Sequence, residues 1–169
     1  VPFLRPKNLA TDSAGMDKVI FHAIEKLQKL GYQFDILVNR DCTAPFVKNS
    51  DVKGSIDLLR KKNCDAVVAA YKTHLNPYFN MMEFNSKKVL EFSKKIGVEV
   101  NGRQTAPTVF QLTSFQTINV KRFLKNKKIY TSNVLPIEIS PENGLMIDTK
   151  YDFKIAECLA KTYFKKRSS

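Results

Sequence analysis

Residues 34–46 read FDILVNRDCTAPF, an apolar run that leads directly into a polar turn. A short apolar run bounded by turn-forming residues predicts a buried strand, here over 34–38. In an open α/β sheet, ligands bind beyond the carboxyl ends of the strands. We therefore predict that Asp41 and Thr43, which follow this strand, lie at the rim of a pocket.

The segment near the other end of the chain follows the same plan. Residues 144–153 read GLMIDTKYDF, in which a short apolar run ends in an acid before a helix. A second strand end would then carry a carboxylate at the same edge of the sheet. We predict that Asp41 and Asp148 face one pocket.

The remaining periodicity is typical of an α/β domain. Helical spacing of apolar residues over 16–30 ends at Gly31, and a second helix starts near residue 50. Residues 65–70 are apolar throughout, as in a strand that is buried on both faces. Helices that alternate with strands in this way indicate a mainly parallel sheet flanked by crossover helices.

The last third of the chain adds a strand over 115–120, a short helix over 121–125 and a strand over 134–139. Pro136 places this last strand at an edge of the sheet, because proline cannot donate to a ladder. Residues 152–165 form the final helix. The inward face of this helix is predicted to consist of Phe153, Ala156, Leu159, Ala160 and Phe164.

The middle of the chain has a different character. Short β-like runs over 77–85, 88–92 and 108–112 predict an antiparallel insert that spans 77–112. The aromatic and methionine side chains of 78–84 exceed what a small hairpin buries alone. Either a second subunit or the chain's own core covers them.

Composition limits the partners. The net charge of +12 favours anionic partners, but the lysines occur as scattered pairs, which is typical of a solvated surface. Nucleic-acid binding is not predicted, because no basic stripe is interleaved with aromatics. No apolar run approaches the roughly 18 residues of a membrane span. Three distant cysteines without a secretory signal fit the reducing cytoplasm.

Five motifs in the same order resemble the acylneuraminate cytidylyltransferases, the CMP-sialic acid synthetases and their relatives. The motifs are VPFLRPKNLATD (1–12), TAPF (43–46), NPYFNM (76–81), RQTAP (103–107) and IDTKYDF (147–153). This resemblance implies a Rossmann-like nucleotidyltransferase fold. It also implies a reaction in which the anomeric hydroxyl of a nine-carbon 2-keto sugar acid attacks the α-phosphate of CTP and releases pyrophosphate.

The family's basic CTP-binding loop, roughly Ala-Arg-x-x-Ser-Lys-x-x-x-x-Lys-Asn, precedes the segment that resembles the start of this chain. The resemblance therefore implies that residues 1–169 form a single nucleotidyltransferase domain without its N-terminal nucleotide loop. This chain alone is then expected to be inactive. The resemblance further implies that the insert over 77–112 is the arm of a homodimer and that it completes the partner's sugar pocket.

The family binds Mg²⁺ through an Asp-x-Asp pair before the last helix. The resemblance implies that Asp148 is the catalytic metal ligand, whereas Met146 stands in place of the first acid. Mg²⁺ retains several waters and needs only one or two carboxylates, and a thioether is a poor ligand for it. Either one carboxylate is enough, or metal binding is impaired.

The implied sugar-binding residues are a mixture of matches and departures. Arg103 and Gln104 match the family's Arg-Gln pair, and an arginine fork suits a carboxylate. Thr113 and Thr117 stand where the family motif Leu-Asn-Gly-x-x-Tyr supplies a sugar-contacting Asn and Tyr. Asp41 replaces a sugar-contacting glutamine. These departures leave open a differently decorated keto-sugar acid.

Several alternatives stay open from the sequence alone. Asp148 is equally suited to capping the last helix, Asp41 to an Asx-turn, and Arg103 to an exposed hairpin. The whole protein is then either a cytidylyltransferase or a catalytically inactive relative that acts as a binding module. A basic RNA-binding domain is the third reading, and it predicts binding that weakens steeply with salt.

Overall fold

The computed structural model of the chain describes residues 2–98 and 100–165. Its central layer is a four-stranded sheet with the strand order β1-β5-β2-β6. The strands of this sheet are β1 (Ile36–Arg40), β2 (Ala66–Lys72), β5 (Phe110–Asn119) and β6 (Val134–Glu138). The predicted α/β class is confirmed.

The direction of β5 is the main departure from the predicted sheet. β1, β2 and β6 share one direction, but β5 lies between β1 and β2 and is antiparallel to both. Among the strand pairs of the described residues, the β2–β6 pair alone is parallel. The sheet is mixed rather than mainly parallel, because the chain returns from the insert at the carboxyl end of β2 and can pair there only in the opposite direction.

Helices cover both faces of this sheet. α1 (Met16–Lys29) and α3 (Val120–Asn126) pack on one face and α2 (Asn49–Lys62) on the other. The last described helix is α4 (Lys150–Lys165). Gly31 follows α1 with a φ of 87°, a left-handed conformation that glycine adopts without strain. The first helical segments therefore begin and end close to where the apolar periodicity predicts.

The core has two sides, one for each face of the sheet. On one face, Ile20 and Ile24 of α1 pack with Ile118 of β5 and Phe123 of α3. On the other face, α2 packs against the odd-numbered residues of β2 and β5. There Ser55 and Thr117 are fully buried, and their hydroxyl oxygens lie 2.6 Å apart. The polar pair is thus satisfied inside an otherwise apolar layer.

The insert carries a separate two-stranded antiparallel sheet, β3 (Met82–Phe84) and β4 (Leu90–Phe92). The hairpin is antiparallel, as predicted, but the predicted run over 108–112 does not join it, because residues 110–112 belong to β5 of the central sheet. Many of its large apolar side chains are exposed. They are Met81, Met82, Phe84, Val89, Leu90, Phe92, Ile96 and Val98.

Two further predictions concern the last elements. β6 lies at an edge of the sheet, as Pro136 predicts. The inward position of Phe153 is wrong, because its side chain is 54% exposed, whereas Ala156 is buried. The side chain of Phe164 lies outside the described residues. Within the described chain, every helix is too short or too polar to cross a membrane.

Candidate active site

Asp41 is placed by the end of β1. The Asp41 backbone N–H donates to the Ser114 carbonyl of β5 at 2.8 Å, so that the turn begins where the ladder stops. The Ala44 N–H donates to the Asp41 carbonyl at 3.3 Å, and the Arg40 guanidinium donates to the Ala44 carbonyl at 3.3 Å. These bonds fix the turn through its backbone. None of them involves the Asp41 carboxylate, which is half-buried.

Asp148 is placed by the loop between β6 and α4. The Ile147 N–H donates to the Thr43 carbonyl at 2.9 Å, which ties this loop to the turn after β1. The Thr113 hydroxyl donates to the Gly144 carbonyl of the same loop. Two loops that are far apart in the sequence are thus joined at one edge of the sheet.

The two carboxylates influence each other electrostatically. Burial raises the pKa of Asp41, and the negative charge of Asp148 raises this pKa further. Burial also raises the pKa of Tyr130, and the charges of Asp41 and Asp17 add to that shift. Together with the bond from the Ile147 N–H to the Thr43 carbonyl, this coupling of the two carboxylates places the loops that carry Asp41 and Asp148 at one edge of the sheet.

The capping alternative for Asp148 does not hold. The start of α4 is capped by Thr149, whose hydroxyl accepts the Asp152 N–H at 3.2 Å. The Asp152 carboxylate accepts hydrogen bonds from the Thr149 hydroxyl at 2.7 Å and from the Thr149 N–H at 2.8 Å. These bonds lower the pKa of Asp152. This reciprocal arrangement satisfies the helix terminus without the Asp148 carboxylate.

The Asx-turn alternative for Asp41 does not hold either. The turn is closed by the backbone bond from Ala44, and no hydrogen bond to the Asp41 carboxylate occurs among residues 2–98 and 100–165. In the same part of the chain, neither Asp41 nor Asp148 forms an ion pair with lysine or arginine. Both carboxylates are therefore available to a ligand.

The two threonines predicted to contact sugar have other partners in the structure. Thr113 is buried, and its single hydroxyl proton is donated to the Gly144 carbonyl. Thr117 is fully buried on the α2 face, where it bonds Ser55. The placement of Thr117 argues against sugar contact, because its side chain points into the core and not toward the edge of the sheet.

Arg103 and Gln104 lie in an exposed turn at the end of the insert. The turn is closed by bonds from the Thr105 and Ala106 amides to the Gly102 carbonyl. Within the described residues, no contact joins Arg103 or Gln104 to either carboxylate. Thr43 contributes its carbonyl to the junction, as noted above. The sugar-binding roles of these three residues stay predictions.

The two acid-bearing loops meet β5 at a place that we call the junction. The sequence analysis missed two residues there. Ser114 has a φ of 53°, is fully buried, and its hydroxyl oxygen has no hydrogen-bond partner among the described residues. Gly144 is buried, and a Cβ added there would lie 2.9 Å from Thr113 Cγ2 and from Tyr71 Cδ1. A weak signal existed for Ser114, because the resembled motif has glycine at that position.

Met146 does not stand in for the missing acid. Its side chain packs against the buried cluster that contains Ala44, Ala69 and Phe115. No group of three or more histidine, cysteine, aspartate or glutamate side chains is close enough to hold a metal in the part of the chain that is described.

A basic groove of about 560 Å³ lies next to this edge, between β1 and α2. Its lining includes the cationic side chains of Arg40, Lys53 and Arg60, together with Asp57 and the apolar Val38. Neither Asp41 nor Asp148 lines it. The groove and the carboxylates thus offer opposite charges on neighbouring surfaces.

Replacing Asp41 by asparagine is expected to raise stability at neutral pH by less than about 1 kcal/mol, because solvent screens the half-buried carboxylate. The raised pKa means that the ionised form is disfavoured in the folded state. The gain should be complete above the folded pKa and vanish as pH falls toward the ordinary value of 3.8. Urea unfolding at pH 7 and pH 4 measures this, with Asp57→Asn on exposed α2 as control. A loss of stability at pH 7 would contradict the repulsion.

Sequence comparisons find relatives along nearly the whole chain, although no protein-family model matches. The chain is 27% identical over 161 residues to the post-translational flagellin modification protein B of Campylobacter coli, covering 94% of this chain and 67% of that protein. It is 26% identical over 159 residues to the CMP-N,N'-diacetyllegionaminic acid synthase of Campylobacter jejuni, covering 93% and 66%. The resemblance to the CMP-sialic acid synthetases is confirmed.

A further relative is the CMP-N,N'-diacetyllegionaminic acid synthase of Legionella pneumophila, at 22% identity over 161 residues, covering 94% of this chain and 68% of that protein. The chain spans about two thirds of the length of the curated relatives it matches. Among solved structures, the 4-diphosphocytidyl-2C-methyl-D-erythritol synthase of Anaerococcus prevotii superposes with a TM-score of 0.57 at 16% identity, covering 88% of this chain and 68% of that one. This likeness shows the fold alone.

Proposed function

We propose that this protein is a cytidylyltransferase that activates a nine-carbon 2-keto sugar acid, of the sialic or legionaminic type, with CTP. The observation that carries the proposal is the bond from the Ile147 N–H to the Thr43 carbonyl, which joins the loops of Asp41 and Asp148 at one edge of the sheet. Support comes from the relatives whose names give CMP-N,N'-diacetyllegionaminic acid synthesis as their activity.

The proposed reaction is a substitution at phosphorus. The oxygen of the sugar's anomeric hydroxyl forms a bond to the α-phosphorus of CTP, the bond from that phosphorus to the bridging oxygen of the β-phosphate breaks, and pyrophosphate leaves. The hydroxyl proton is released. The products are the CMP-sugar, pyrophosphate and one proton. The basic groove beside the site, with Arg40, Lys53 and Arg60, favours an anionic nucleotide nearby.

The residues present fit a magnesium ion. Asp41 and Asp148 are oxygen donors without lysine or arginine partners in the described chain, and their mutual repulsion would be relieved by a cation. Asp148 would hold the ion, with Asp41 close to it, and solvent would complete the ligand set. A bound Mg²⁺ neutralises charge on the phosphates. Because Met146 faces the core, position 146 adds no ligand.

The proposal extends to the whole protein. The resemblance places the family's CTP-binding loop before the segment that matches the start of this chain.

The test is CMP-sugar formation by the natural full-length protein. Pyrophosphate release and mass spectrometry of the product are measured with CTP, ATP, GTP and UTP. Each nucleotide is paired with N-acetylneuraminate, N,N'-diacetyllegionaminate and an eight-carbon keto acid. The expected result is a CTP-dependent product with at least one nine-carbon acid. No CTP-dependent product with any acid would overturn the proposal.

The exposed hairpin of the insert supports a homodimer as part of this proposal. Phe84 is 71% exposed and Leu90 is 54% exposed on a sheet of only two strands. A hairpin this small does not stabilise itself in water, so burial against a second copy is a physical reason for its apolar surface.

Replacing Phe84 by aspartate is therefore expected to weaken the dimer by about 2 kcal/mol or more, which is roughly a 30-fold higher dissociation constant. Light scattering across a concentration series measures this. Tyr151→Asp on α4 is the matched control, because Tyr151 is also 71% exposed but lies outside the insert. An unchanged mass for Phe84→Asp, or an equal loss in the control, would remove the arm from the interface.

A catalytically inactive binding module is the second candidate. Two observations favour it, namely the packing of Met146 in the core and the structural bonds that occupy the Thr113 and Thr117 hydroxyls. This candidate predicts that the full-length protein binds CTP, as measured by calorimetry, but releases no pyrophosphate with any keto-sugar acid.

A further inference from the structure

Two consecutive residues of β5 hold the two loops that carry the acids. The Ser114 carbonyl accepts the Asp41 N–H at 2.8 Å, and the Thr113 hydroxyl donates to the Gly144 carbonyl. A third bond, from the Ile147 N–H to the Thr43 carbonyl, closes the circuit between the loops at 2.9 Å. Each of the two acid-bearing loops is thus tied to β5 by one bond, and the third bond joins the loops to each other.

The backbone of β5 is irregular at this point. Val68 of β2 pairs with Gln116 and Ala70 pairs with Leu112, so two steps along β2 span four along β5. Ser114, in the middle of this bulge, has a left-handed φ of 53°. A residue with a side chain loses about 1–2 kcal/mol in this conformation. Bulges occur next to active sites, where they redirect residues that a regular strand would point elsewhere.

Burial makes the junction rigid. Thr113 is 5% exposed and Ser114 is fully buried, and the Gly144 backbone approaches Thr113 too closely for any side chain at that position. The Ser114 hydroxyl has no partner among the described residues, so it adds nothing to the hydrogen bonding of the fold. Ser114 contributes to the junction through its backbone carbonyl, which accepts the Asp41 N–H.

We propose that Thr113 and Ser114 form a clamp that sets the separation of Asp41 and Asp148. Thr113 is then a positioning residue that acts through Gly144, rather than a contact of the sugar. Ser114 positions Asp41 through its carbonyl. The catalytic consequence rests on the proposed function, whereas the geometric part concerns only this chain's own bonds.

The first test measures hydrogen exchange of the Asp41 and Ile147 amides by NMR in the full-length protein. Thr113→Val keeps the shape but removes the hydroxyl, and exchange at Ile147 should become about tenfold faster as the Gly144 loop loosens. Thr113→Ser keeps the hydroxyl and should restore slow exchange. Ser55→Ala removes a buried hydroxyl of another pair and should leave both amides unchanged. Unchanged exchange in Thr113→Val, or equal acceleration in Thr113→Ser, would overturn the clamp.

Ser114→Gly gives a second, independent variant. Glycine adopts the left-handed conformation without strain, so the carbonyl bond to Asp41 should persist and the Asp41 amide should stay protected. Loss of that protection would show that the serine side chain, and not the backbone of the bulge, holds Asp41. That result would overturn the backbone half of the clamp.

The second readout is kinetic. For Thr113→Val, kcat for CMP-sugar formation should fall about tenfold with the KM for CTP unchanged, and Thr113→Ser should recover it. Ser55→Ala should keep kcat. An unaltered kcat in Thr113→Val with faster exchange would overturn the positioning role. If the wild-type protein makes no CMP-sugar at all, the proposed function fails, and the exchange measurements still decide the geometric claim.

Discussion

The Asp148→Asn variant of the full-length protein is expected to form CMP-sugar at least about 100-fold more slowly than the wild type. Loss of one group that stabilises transition-state charge typically costs a factor of this size. The amide keeps the shape of the side chain but removes the charge that would hold Mg²⁺. The thermal unfolding midpoint should stay within a degree or two, since Thr149 and Asp152 cap α4. Product formation and calorimetry measure the two effects.

Asp152→Asn is the structural comparison for that variant. Its carboxylate accepts hydrogen bonds from the Thr149 hydroxyl and N–H, so its loss should lower the thermal unfolding midpoint. Asp148→Asn should therefore lose activity and keep its stability, whereas Asp152→Asn should lose stability and keep its activity. Full activity in Asp148→Asn would show that Asp148 takes no part in the reaction. A fall in its unfolding midpoint as large as in Asp152→Asn would show that its role is structural.

Gly144→Ala is expected to destabilise the fold by about 2–3 kcal/mol, or roughly 5–10 °C in the unfolding midpoint. The added Cβ would lie 2.9 Å from both Thr113 Cγ2 and Tyr71 Cδ1, closer than real contacts allow. The loop has to move, and the hydrogen bond from Thr113 is lost with it. Thermal and urea unfolding measure the change.

Gly97→Ala is the matched control, because a Cβ added at Gly97 meets nothing within 4 Å. It should change stability by less than about 0.5 kcal/mol. If Gly144→Ala were as stable as this control, the close approach of the loop to β5 would be wrong.

Most of the fold follows from local pattern. The unbroken apolar run of β2 predicts a strand buried on both faces, and Pro136 predicts an edge, because both depend only on the chemistry of the residues concerned. The direction of β5 does not follow, since the alternation of side chains along a strand is the same in either direction. The helical pattern predicted that Phe153 faces inward, but a helical residue is buried only where another element covers it. The sequence does not identify the element that would cover Phe153.

The candidate site was only partly predictable for a related reason. Asp41 was predicted because an acid directly after an apolar strand lies at the edge of the sheet. The strand predicted before Asp148 is wrong, because residues 144–147 form a loop that reaches the same edge through the bond from the Ile147 N–H to the Thr43 carbonyl. Thr117 was predicted at the same site by resemblance, but one residue of register decides whether a strand side chain faces the core or the rim. Ser114 and Gly144 depend on a positive φ and on a close approach between loops, neither of which residue type alone reveals.

The bulge determines which part of the sheet opens first when the protein partly unfolds. It divides β5 into an inner portion, which pairs with both β1 and β2, and an outer portion, Phe110 to Leu112, which pairs with β2 alone. A strand interrupted in this way can fray from its outer end without disturbing the sheet below. Opening of the insert would therefore stop at Thr113, and the junction of the two acid-bearing loops would be the last boundary before global unfolding.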